Sequence, residues 1–169
     1  MKKKFIITLI FLTNVTFSQK NENGKVYDKH PAISIAQKFN LALTSGDTTA
    51  LKELVTEDFV SYNSNYYHPR YKGNGIKSLL NSSLYLKENF INLKIENWGE
   101  AYPDAIDYDR SGLYVYTYDI MSGFDKSNGF KINSPRKSTF IFDKKGKKIK
   151  RLLYSDNTAH FQKYSMSKE

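Results

Sequence analysis

The stretch TFIFDKKGKKIKRLLYSDNTAHFQK, residues 139–163, decides how the chain is read. Phe140, Ile141 and Phe142 run into Asp143-Lys144-Lys145-Gly146, and a second β-prone run leaves through Ile149, Leu152, Leu153 and Tyr154. A short loop containing glycine between two such runs predicts a β-hairpin, with Gly146 at positive φ. The second strand ends at Ser155-Asp156-Asn157, ahead of a short polar C-terminal segment. One carboxylate, Asp156, therefore stands at the end of a sheet strand, a common place for small-molecule chemistry.

Working outward, the region before this hairpin has a period of two. Ile91, Leu93 and Ile95 alternate with Asn92, Lys94 and Glu96, and Trp98 ends the run. A short strand over Ala105 to Asp109 turns at Asp109-Arg110-Ser111-Gly112. A long strand follows, with Tyr114, Tyr116, Tyr118 and Ile120 on one face and Leu113, Val115, Thr117, Asp119 and Met121 on the other. Both faces are substantially apolar, which predicts cover on both sides. Phe130 to Phe142 returns antiparallel to it.

The N-terminal half has the helical period instead. Ile33, Ala36, Phe39 and Leu43 form a stripe after Asp28 and Pro31, and Ser45-Gly46 stops it. Asp47 caps a second helix with Ala50, Leu51, Leu54 and Val55 inward. An extended run, Phe59 to Tyr62, precedes a loop over residues 63–72. Gly73-Asn74-Gly75 then starts a third helix with Ile76, Leu79, Leu80 and Leu84 apolar. Helices followed by strands predict an α+β domain: a curved antiparallel sheet with three N-terminal helices on one face. At 169 residues the chain suits one domain.

Met1 to Lys4 is basic, FIITLIF (5–11) is apolar, and Thr16 and Ser18 are small. This is the pattern of a secretory signal peptide cleaved after Ser18. The apolar run is short and is interrupted by Thr13 and Asn14, which argues against a retained membrane anchor. The expectation is a periplasmic or secreted product, with residues 19–29 a flexible lead-in, 30–164 the domain and 165–169 a tail. The formal charge is +9, part of it on Lys2, Lys3 and Lys4 of the leader. The cluster Lys144 to Arg151 reads as a solvated hairpin tip, and no basic face interleaved with stacking aromatics marks a nucleic-acid binder. With no cysteine, disulfides, thiolate nucleophiles and thiolate metal sites are excluded.

The order of these elements resembles the nuclear transport factor 2-like superfamily, and more closely its SnoaL-like (polyketide cyclase-like) branch. The resemblance rests on FNLALTSGD (39–47), Leu51-x-x-Leu54-x-x-Glu57-Asp58-Phe59, Gly73, and Phe142-Asp143-x-x-Gly146-Lys147 with Asp156 ten residues beyond that glycine. It covers residues 30 to 163 and implies a cone with a pocket, in a fold whose members often dimerise. A homodimer is therefore expected. The ketosteroid isomerases of this superfamily use a Tyr, a basic Asp and a protonated Asp; those positions fall on Phe39, Asn63 and Ser138, so that activity is excluded. SnoaL-like cyclases place an acid/base Asp where Asp156 stands, and His68 lies in a similar His-Pro loop. Asp156 and His68 are the catalytic candidates. Asp119 with Arg136 resembles the Asp–Arg–Asp water-activating set of limonene epoxide hydrolases, against the plainer reading of a cross-strand salt bridge near a sheet edge.

Tyr62, Trp98, Tyr116, Tyr118 and Tyr154 are expected to line an aromatic cavity with Asp119 and Arg136. Asp58 is a further polar candidate. His30 looks like helix-entry chemistry and His160 like an exposed terminal residue; without ligand spacing among the histidines no metal or other cofactor is expected. Two functions stay open. One is an exported, non-enzymatic cone binding a small apolar or aromatic ligand or a protein partner, with neither nucleic acid nor membrane as partner of the mature form. The other is an acid/base enzyme (isomerase, cyclase, dehydratase or epoxide hydrolase type) using Asp156.

Overall fold

A computed structural model describes residues 23–63, 72–100 and 102–168. The leader and His68 lie outside the described residues. In chain order the elements are β1 (Gly24–Tyr27), α1 (Pro31–Ser45), α2 (Thr48–Leu54), β2 (Val55–Asn63), β3 (Asn74–Gly75) and α3 (Ile76–Asn89). Then come β4 (Phe90–Asn97), β5 (Asp104–Tyr108), β6 (Gly112–Asp125), β7 (Lys131–Phe142), β8 (Ile149–Asp156) and α4 (Thr158–Met166). One sheet runs β1-β5-β6-β7-β8-β2-β3, and β4 pairs with the far half of β6.

The hairpin that anchors the sequence reading is β7–β8, closed by its own turn chemistry. Asp143 Oδ1 accepts the backbone N–H groups of Lys147 (2.8 Å) and Lys148 (3.1 Å). Gly146 takes φ +66°, as the turn requires. The sheet is mixed, however, rather than wholly antiparallel: β2 lies parallel to β8, with Ser61 opposite Leu152. This pairing inserts β2 after its preceding helices have crossed the sheet, a relation that alternation within a strand cannot report.

Two further elements differ from expectation. Residues 24–27, read as flexible lead-in, form β1 against β5 in register Val26 to Ile106. The polar C-terminus forms α4, whose first turn is capped by Asn157 Oδ1 accepting the His160 N–H at 3.2 Å. Helix α1 is capped by His30, whose Nδ1 accepts the Ala32 N–H at 3.1 Å. Asp47 caps α2 by accepting the Ala50 N–H at 2.9 Å. Val55, expected on that helix, already belongs to β2.

The core lies between α1–α3 and the inner sheet face. Phe39, Phe59, Phe140, Leu51 and Val115 are at most 2% exposed, and the Phe39 and Phe140 rings meet edge to face at 5.6 Å. In the first half of β6, Leu113, Val115, Thr117 and Asp119 are buried, so this face is inward and the tyrosines between them face out. Ser83, fully buried on α3, donates to the carbonyls of Ala42 (3.2 Å) and Leu43 (2.9 Å) at the end of α1. That bond fixes the roll of α3. A Ser83→Ala variant is expected to lose about 1 kcal/mol in chemical denaturation, because a buried hydroxyl's hydrogen bonds to the end of α1 are lost.

At the other end of β6, buried Asp125 holds α4 in place. It accepts Tyr164 Oη–H at 2.6 Å and pairs with Lys168 Nζ at 2.8 Å. Lys168, then Ser127 and Tyr164, hold its carboxyl well below the usual carboxylate value. A depressed value means that this contribution is present above the unfolded carboxyl's ordinary 3.8 and fades as pH falls below it. Tyr164→Phe is expected to speed hydrogen exchange across residues 158–166 at neutral pH, and less so at pH 3.

Candidate functional site

Antiparallel register places three charged side chains in one row. Asp119 on β6 is opposite Arg136 on β7, and Arg136 is opposite Asp156 on β8. All three belong to the inner face, in the middle of the sheet rather than at an edge. The next row is Thr117, Ser138 and Tyr154, and the one after it Val115, Phe140 and Leu152. Polarity thus rises along the inner face, from an apolar floor to a charged row.

Asp119 is fully buried and Arg136 is 5% exposed. Arg136 Nε stands 3.7 Å from Asp156 Oδ1, an ion pair too long for a hydrogen bond. The guanidinium also lies over the Tyr154 ring, 4.7 Å from its centroid. Thr117 donates to Asp119 Oδ2 at 2.6 Å, while Asp119 Oδ1 and Arg136 Nε have no hydrogen-bond partner among the described residues. Burial pushes the Asp156 carboxyl up, against the opposing pull of Arg136. Burial likewise pushes Asp119 up, opposed mainly by the Thr117 bond and then by Arg136.

A cavity of about 180 Å³ opens above this row. Arg136, Asp156 and Tyr154 form one wall, and Leu43, Leu79, Leu86, Met121 and Leu152 supply apolar surface. Ser61, Asn74, Ser78 and Ser82 complete it. Helix spacing explains the α3 contribution: positions 78, 79, 82 and 86 share one face once Ser83 has fixed the helix against α1. Gly73 has φ +74°, and a Cβ there would press on Val60 and the Ser61 carbonyl, so only glycine lets the chain pass beside this wall.

Of the residues singled out from sequence, Asp156, Arg136 and Tyr154 line the cavity. Asp119 sits beside Arg136 without reaching the cavity wall. Tyr62, Tyr116, Tyr118 and Trp98 do not line this cavity, because they alternate onto the outer side of the sheet. There Tyr116 Oη lies 3.3 Å from Tyr108 Oη, and Trp98, Tyr118, Lys137 and Asn157 border an outer cleft of about 340 Å³ that Arg136 and Asp156 line as well. Asp58 is exposed in an ion pair with Lys150 at 3.2 Å. His160 is half-buried and accepts the Asn133 N–H at 3.3 Å. Of the residues in the positions of the ketosteroid isomerase groups, Phe39 is in the core and Ser138 faces inward beside Tyr154. The serines of α3 and β2 were passed over; their signal was the polar members of the stripe at 78 and 82. Among the described residues, no group of three His, Asp or Glu side chains is placed to hold a metal ion.

The sign of the Asp156 shift gives a stability prediction. A carboxyl that holds its proton more tightly folded than unfolded opposes folding once ionised. The effect is absent below the ordinary 3.8, grows as pH rises through the interval up to the folded value, and then stays constant. Asp156→Asn is therefore expected to unfold at higher denaturant than wild type at pH 7, with the gap closing near pH 3. Arg136→Met, which removes the cation between the Asp119 and Asp156 carboxyls, is expected to be destabilised by about 3 kcal/mol or more at neutral pH.

No protein-family model matches the chain, and no curated protein matches its sequence. Solved structures do match its shape. PrhC from Penicillium brasilianum superposes with TM-score 0.65 at 14% identity over 80% of this chain and 86% of its own. BvnE pinacolase from Penicillium brevicompactum gives 0.64 at 13% identity over 81% and 90%. A putative SnoaL-like polyketide cyclase from Shewanella denitrificans gives 0.59 at 14% identity over 82% and 99%. The chain has the nuclear transport factor 2-like α+β fold, in the form shared by SnoaL-like polyketide cyclases and ketosteroid isomerase-like proteins.

Proposed function

We propose that this protein binds a small molecule in the cavity and moves a proton on it, an isomerase- or cyclase-type reaction with Asp156 as general base. The observation that carries this reading is the placement of Asp156: a carboxyl lifted by burial, on the cavity wall, beside Arg136 at 3.7 Å. A raised carboxyl is a better proton acceptor near neutrality. In the proposed step, the Asp156 carboxylate takes a proton from the carbon next to a ligand carbonyl, giving a neutral carboxyl and an enolate. Arg136, whose Nε has no hydrogen-bond partner among the described residues, offers positive charge to the enolate oxygen. The proton then returns to carbon, so atoms and charge balance. Asp119 acts as a positioning residue that holds Arg136 from the other side.

The printed descriptions of the structural relatives, a pinacolase, a polyketide cyclase and a putative isomerase, support chemistry of this class. Binding without reaction is the second reading. It is favoured by Phe39 and Ser138, which stand where the isomerases keep an oxyanion hole. Export belongs to the same proposal, carried by the basic-apolar-small pattern of residues 1–18; N-terminal sequencing of the exported product is expected to begin at Gln19.

The test is deuterium exchange at the carbon next to the carbonyl, followed by proton NMR, on a panel of small cyclic ketones and hydroxyketones. Wild type is expected to accelerate exchange for at least one member, and Asp156→Asn to lose at least a hundredfold of that rate. Equal exchange by the two proteins, or none by wild type, contradicts the enzymatic reading.

A further inference from the structure

The polar and apolar walls of the cavity are not mixed at random, and their arrangement bears on which ligand fits. Ser61 is buried, Ser78 half-buried and Ser82 exposed, so hydroxyls run from the cavity mouth to its interior. Asn74 stands with them, its carbonyl receiving the Ser61 hydroxyl at 3.3 Å. The charged row supplies the remaining polar atoms through Arg136 and Asp156. Leu43, Leu79, Leu86, Met121 and Leu152 give the apolar faces.

We propose that the ligand of this cavity is a small neutral compound carrying two or more hydroxyl or carbonyl groups along one edge of a compact carbon frame. Its oxygens would meet Ser78, Ser82 and Asn74, and its carbon face the leucines and Met121. This inference deepens the functional reading above and rests on the same cavity.

Size and charge both narrow the class. A volume of 180 Å³ equals that of about six waters and lies below the roughly 300 Å³ at which pockets for drug-sized ligands begin. One six-membered ring with substituents fits that space; a fused polycycle does not. The one carboxyl on the cavity wall, Asp156, faces the one guanidinium, Arg136, at 3.7 Å, so the lining has no surplus positive charge to hold an anion. The same pairing leaves the lining no surplus negative charge to hold a cation.

Four probes of one shape test this: trans-cyclohexane-1,2-diol, cyclohexanol, cyclohexanecarboxylate and cyclohexylammonium. Each is titrated by NMR against the leaderless protein and against Ser78→Ala/Ser82→Ala, which removes two hydroxyls and leaves helix and apolar wall intact. The diol is expected to bind about two- to tenfold more tightly than cyclohexanol, the gain of one net hydrogen bond, with both ions weaker than either. The double variant is expected to lose the diol preference, the diol and cyclohexanol then binding alike. Equal binding of diol and alcohol, tightest binding of either ion, a preference that survives in the double variant, or no binding of any probe would overturn the proposal. The readout is binding alone. No exchange by wild type, with the diol preference intact, would sink the proton-transfer reading and leave this one standing.

Discussion

A buried guanidinium between one buried and one half-buried carboxyl is the constraint around which this protein is arranged. Arg136 can occupy the inner face only because Asp119 and Asp156 face it from the neighbouring strands. An unpaired charge in that place would cost several kcal/mol. The row also fixes register. A slip of one residue in β7 would bring Lys137 inward and send Arg136 to the outer face, exchanging an ordered polar row for an unpaired ammonium. Fold and site are therefore specified by the same three side chains.

The cavity exists because the helices leave part of this row uncovered. Core packing closes the apolar end of the sheet, where Phe39 and Phe140 meet. At the other end α3 presents serines, which are too short to fill the space. The roll of α3 comes from a single buried hydroxyl, that of Ser83, bonded to the last carbonyls of α1. The outcome is a carboxyl that is dry enough to be shifted and still reachable by a ligand. Such an arrangement opposes stability and favours chemistry, the usual relation at sites kept for function.

Local signals carried much of the architecture. The β7–β8 turn could be read because Asp143 and Gly146 carry their own geometry, and the α2 start because Asp47 is a cap. The faces of β6 could not be read this way. Tyrosines alternate there with Leu113, Val115, Thr117 and Asp119, and a period of two says that the faces differ without saying which is inside. Aromatic size pointed to the tyrosine face, whereas the sheet buries the one that carries Asp119. The parallel seat of β2 beside β8 is likewise a tertiary fact. So is β1, since GKVY gains its partner only from β5. Asn157, by contrast, was a legible cap for α4, masked by the polar residues after it. At the site, the charged row was half visible: Asp119 and Arg136 came as a pair and Asp156 separately, because register alone joins them.

The central claim is that Asp156 is held out of its ordinary carboxylate range while facing the cavity. Carbon-13 NMR titration of the aspartate side-chain carboxyls, with Asp156 identified by its absence in Asp156→Asn, measures this directly. The account predicts that this one signal titrates above the ordinary value of 3.8 and shifts when a ligand enters the cavity. A midpoint at or below that value, insensitive to any ligand bound there, would contradict it.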